Sequence, residues 1–96
     1  MTDTVITLET TVQRNTENLL TSIIGDEIVM MDVEGGNYIG LNKIGRIIWD
    51  QMDQPILVKI LIENLTMRFN VTQEICLADT LEYLQNMYLQ RIISIC

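Results

Sequence analysis

The sequence predicts a single α+β domain in which a three-stranded antiparallel sheet precedes three helices. Three observations carry this. Short runs rich in Ile, Val, Leu and Met are separated by two glycine-bearing turns, Gly25-Asp26 and Glu34-Gly35-Gly36-Asn37. At Asn42 the apolar period changes from two residues to about 3.6. Ninety-six residues allow one core, and 48% hydrophobic residues with a single proline suffice to build it.

Residues 1–16 are polar and threonine-rich, with weak strand character at Val5-Ile6-Thr7-Leu8. They are expected to form a loosely attached arm, with residues 17–96 as the folded domain. Leu19–Ile24 and Glu27–Val33 flank Gly25-Asp26, a hairpin signal, because glycine supplies the positive φ of a type II′ turn. The second glycine turn leads into Tyr38–Leu41. The stretch Asn37–Leu41 is therefore the last strand of a meander and lies at its edge.

Asn42 is placed to cap a helix over Asn42–Asp53, in which Ile44, Ile47, Ile48 and Met52 share a face. Trp49 lies beside that stripe, and Gly45 permits close approach of another backbone. Pro55 suits the first turn of a second helix, Ile56–Phe69, with Leu57, Ile60, Leu61, Leu65 and Phe69 near one face. Asn70-Val71 closes it. Thr72 is the expected cap of a third helix reaching about Gln90, with Glu74 favourable near its N-terminus. That helix carries two adjacent stripes, Leu77, Leu81, Leu84 and Tyr88, then Cys76, Thr80, Tyr83 and Met87. One apolar face is enough to join a core. The second stripe either widens the buried face or walls a groove beside the edge strand. Arg91–Cys96 forms a terminal strand or caps the core.

The residue inventory speaks against catalysis. There is no histidine, and Cys76 and Cys96 form neither a CxxC pair nor a zinc set. Cys76 lacks a base partner, and no phosphate-cradling glycine motif occurs. Glu63, Asp79 and Glu82 read as solvated helix positions. No enzyme activity, cofactor or metal is expected. No apolar run is long enough to span a membrane, and Met1–Arg14 lacks the features of a signal peptide, so a cytoplasmic location is expected.

The element order suggests a winged helix-turn-helix, and with it a transcription factor. Charge opposes that reading. The net charge is −7, and from Thr72 to Gln90 there are Glu74, Asp79 and Glu82 but no Lys or Arg. A DNA-reading helix needs base-edge donors and phosphate-binding cations. The edge strand offers a different use, since an unpaired strand side can take an extended peptide from another protein.

The run GNYIGLNKIGRIIWDQMD, then a helix, RFNVT, an Asp early in the third helix, and YLQNM, resembles the PqqD family over about Asn18 to Ile95. The resemblance implies a winged helix-turn-helix recognition domain for ribosomally made, modified peptides. Such a domain binds the leader of a precursor peptide as a strand added to the third strand, and hands it to a leader peptidase or other maturation enzyme. Carried onto this chain, Asn37, Tyr38, Ile39, Gly40 and Leu41 would be the docking strand. Cys76, Asp79, Thr80, Tyr83 and Met87 would be the facing wall. Thr80 stands where the family often has an aliphatic residue. In general character the chain is similar to the separate recognition proteins of lasso peptide clusters. The alternative within the family is a chaperone for the precursor in pyrroloquinoline quinone assembly.

Overall fold

A computed structural model describes residues 5–69 and 72–96. The expected turn at Asn70-Val71 and residues 1–4 of the expected arm lie outside the described residues. Among the described residues the order is β1 (Thr11–Arg14), β2 (Leu19–Ile24), β3 (Glu27–Asp32), β4 (Tyr38–Leu41), α1 (Lys43–Asp50), β5 (Ile56–Leu57), α2 (Val58–Phe69), α3 (Gln73–Leu89) and β6 (Ile93–Ile95). The expected α+β class holds, with sheet β2-β3-β4 followed by the helices. A second three-stranded sheet, β5-β1-β6, was not foreseen.

The meander forms for the local reasons expected. Gly25, at φ +61°, opens the two-residue connection between Ile24 and Glu27, which pair. The second connection is wider than a two-residue turn. The Asp32 N–H donates to the Asn37 carbonyl at 2.8 Å and the Gly36 N–H to the Asp32 carbonyl at 2.7 Å, with Gly36 at φ +72°. Alternation then sorts the side chains. Ile28 and Met30 of β3 and Ile39 and Leu41 of β4 face inward and are buried.

At the N-terminus of α1 the Asn42 Oδ1 accepts from the Gly45 N–H at 2.9 Å, the expected cap. Ile47, Ile48, Trp49 and Met52 are buried, whereas Ile44 is 40% exposed. The large Trp49 ring takes the place in the core that the simple stripe assigned to Ile44. Gly45 is buried, and a Cβ there would sit 3.3 Å from Leu41 Cβ. It admits a side chain, not the second backbone expected.

The arm is the main correction. Residues 5–14 contribute two side chains to the core and a strand to a sheet. Ile6 and Val12 are buried, and Thr11–Arg14 is the middle strand of the second sheet. Val12 pairs with Ile56 on one side and Ile95 on the other. Arg14 places its guanidinium 5.7 Å from the Trp49 ring centroid and lies 3.8 Å from Asp50. This pairing also overrides the local signal at Pro55. Ile56-Leu57 is drawn into β5, so the helix starts at Val58 and not in the turn that Pro55 opens. The first N–H groups of a helix lack intrahelical partners. Here Val58 N–H donates to the Thr10 carbonyl at 2.8 Å and Lys59 N–H to the Leu8 carbonyl at 3.1 Å.

α2 buries Val58, Leu61, Ile62 and Leu65 and leaves Ile60 47% exposed. α3 ends in a left-handed cap at Arg91, φ +64°. Ile92 N–H donates to the Met87 carbonyl and Arg91 N–H to the Tyr88 carbonyl, the paired bonds of a Schellman turn. That turn sends the chain into β6.

Candidate functional site

β4 is an edge strand. Its inner side pairs with β3, and among the described residues no strand pairs with its outer side. Hydrogen-bonded and non-bonded pairs alternate in an antiparallel ladder. Because Asp32 and Asn37 are bonded, the next bonded pairs are Met30 with Ile39 and Ile28 with Leu41. The main-chain groups of Asn37, Ile39 and Leu41 are thus spent on β3. Those of Tyr38 and Gly40 point away from it, as a short unfilled ladder.

Residues of α3 and its C-terminal turn approach the two ends of this edge. At one end the Tyr83 hydroxyl donates to Asn42 Oδ1 at 3.2 Å. At the other, Leu89, Gln90 and Arg91 share with Asn37 a broad depression of about 1090 Å³. A smaller depression of about 240 Å³ is lined by Asp79, Glu82, Tyr83 and Asn86. Asn42 is a structural hinge of this arrangement, since one oxygen caps α1 and anchors α3. Asn42→Ala is expected to cost about 1–2 kcal/mol, above an ordinary cap loss because the Tyr83 bond goes too. A urea midpoint lowered with unchanged slope checks this.

The ten residues expected at the site separate into two groups. Asn37, Tyr38, Gly40 and Asp79 are exposed and Tyr83 is half-buried. Ile39 and Leu41 turn their side chains into the core. Cys76, Thr80 and Met87 are also buried, at 7%, 3% and 2% exposure. Of the expected groove wall, these three side chains therefore lie with Leu84 on the core side of α3. Small side chains let α3 come close to α2. The Cys76 Sγ lies 3.8 Å from the Ile62 carbonyl and 3.8 Å from the Thr80 hydroxyl. The surface beside β4 instead includes Asn86, Leu89 and Gln90. Leu89, 69% exposed, lies outside both stripes, so helical periodicity does not single it out.

Among the described residues no group of three His, Cys, Asp or Glu side chains could hold a metal ion, and no helix is long and apolar enough to cross a membrane. Cys76 is a buried and Cys96 an exposed free thiol.

Residues 27–93 match the family model described as coenzyme PQQ synthesis protein D (PqqD). The fold is similar to that of a solved structure described as TbiB1 in complex with the TbiA(beta) leader peptide. The TM-score is 0.75 at 17% identity, over 85% of this chain and 94% of that one. No curated protein matches the sequence.

Proposed function

The chain belongs to the PqqD family, and from that premise we propose that it binds the leader segment of a ribosomally made precursor peptide as a strand added to β4, without catalysing a reaction itself. The single observation that carries this is the unfilled ladder at Tyr38 and Gly40, lying beside the exposed flank of α3. Strand addition gains main-chain hydrogen bonds whatever the sequence, and side-chain pockets supply selectivity. β2 is the other edge of the same sheet, but every residue in it is exposed or half-exposed, whereas β4 buries Ile39 and Leu41. The protein named in the similar structure is seen with a leader peptide, which supports the same reading here.

A lasso peptide leader is the preferred guest, delivered to a leader peptidase or other maturation enzyme in the cytoplasm. The family's description favours a second reading, a precursor chaperone in quinone cofactor assembly. Titration of fluorescein-labelled lasso leaders and of the quinone precursor separates them. The expected Kd for the true guest lies between about 1 µM and 1 nM. Tyr83→Ala is expected to weaken that binding by about 1–2 kcal/mol. No saturable binding by any leader would contradict the proposal. DNA is a poor alternative, because the net charge of −7 and the absence of Lys or Arg in α3 repel phosphates.

A further inference from the structure

Four of the five glycines have a reason within the chain. Gly25 and Gly36 take left-handed φ values of +61° and +72°. A Cβ on Gly35 would lie 2.9 Å from Asp32 Oδ2, and one on Gly45 would lie 3.3 Å from Leu41 Cβ. Gly40 has neither reason. Its φ is not left-handed, and a Cβ there would meet nothing within 4 Å. Glycine nevertheless weakens a strand by about 0.5–1 kcal/mol relative to alanine. Nothing in the isolated fold offsets that loss. A strand glycine that its own fold does not need marks a place where another molecule approaches the backbone.

Its surroundings say what approaches. Gly40 lies on the outer face of the sheet, opposite Val29 of β3 and two residues from Tyr38, whose side chain is 74% exposed on the same face. Its main-chain groups belong to the unfilled ladder. A strand pairing there sets one residue directly opposite Gly40, with its side chain over bare backbone and against Val29 and the Tyr38 ring. On this face Val29 lies between Met31 and Glu27, so the seat is apolar toward Tyr38 and meets a carboxylate only on its far side. An aromatic side chain across from a strand glycine covers the exposed backbone, as in the aromatic rescue of edge glycines.

We propose that Gly40 is the floor of a side-chain subsite on the outer face, and that the guest carries an aromatic residue opposite it. This rests on strand addition to β4 and adds a second face from which the guest is read. The side chains on either side of that residue point to the α3 side.

A phage-displayed library of random linear peptides, selected on the full chain and on Gly40→Val, tests it. Valine suits a strand and its Cβ meets nothing within 4 Å, so Gly40→Val is expected to melt no lower than the parent. The parent chain is expected to enrich peptides with an aromatic residue at one fixed position. A labelled consensus peptide should bind Gly40→Val about tenfold or more weakly. Replacing its aromatic residue by alanine should weaken binding to the parent by a similar factor and to Gly40→Val hardly at all. Selected peptides without an aromatic preference, or equal binding by both proteins, would overturn the subsite and leave strand addition standing. Failure of the parent to select any peptide would overturn strand addition itself, and the subsite with it.

Discussion

Tyr38→Pro is expected to weaken leader binding about 30-fold or more in a domain that keeps its stability, while Ile39→Pro, one residue further on, is expected to remove a large part of that stability. The contrast follows from the ladder. The Tyr38 N–H points away from β3, so proline there removes a donor that only a guest uses and sets its ring in the guest's path. Edge strands tolerate proline on that side. One lost hydrogen bond plus the obstruction amounts to about 2 kcal/mol, which is about 30-fold in Kd. Tyr38→Ala separates ring from amide and should cause a smaller loss. The Ile39 N–H lies on the β3 side, and its side chain is 8% exposed. Proline there breaks the β3–β4 ladder and empties a core position, about 3–5 kcal/mol in a domain whose whole stability is on the order of 5–15 kcal/mol. Circular dichroism and a binding titration on each variant check the pair. Equal loss of stability in both would refute the assigned register.

The second large effect concerns the segment that reads as a loose arm. Deleting residues 1–16 is expected to give a chain that does not fold. The deletion removes the middle strand of the second sheet and leaves β5 and β6 without their shared partner. It also takes away the Thr10 and Leu8 carbonyls that cap α2, and two buried side chains, Ile6 and Val12. The two side chains alone are worth about 2–5 kcal/mol. Val12→Asp asks the same question with one residue. Val12 is fully buried, so a carboxylate there has no partner, and a loss of about 4 kcal/mol is expected. Thermal melts of both should differ sharply from the parent. Unchanged melting would mean the segment is a dispensable arm after all.

What could be read from sequence divides along a physical line. β2, β3, β4 and the start of α1 were legible because local chemistry writes them, in the positive-φ glycines, the side-chain alternation and the Asn42 cap. β1 and β5 were not. Thr11–Arg14 has one apolar residue, and its burial depends on Ile56 and Ile95, far away in the chain. The same distant pairing defeated the helix signal at Pro55. In α3 both stripes were visible, but their roles were not. Periodicity cannot tell how two adjacent faces share the core, and here the buried line takes Leu84 from one stripe and Cys76, Thr80 and Met87 from the other. The candidate edge at residues 37–41 was legible from the meander alone. Which of its amides are free needed the register.

Residue-resolved hydrogen exchange at Tyr38, Ile39, Gly40 and Leu41, with and without a leader peptide, tests the open ladder most directly. The expected result is fast exchange at Tyr38 and Gly40 in the free protein and strong slowing on binding, with Ile39 and Leu41 protected in both states. Protection of Tyr38 and Gly40 in the free protein, or no change there when a leader binds, would contradict a guest strand on β4.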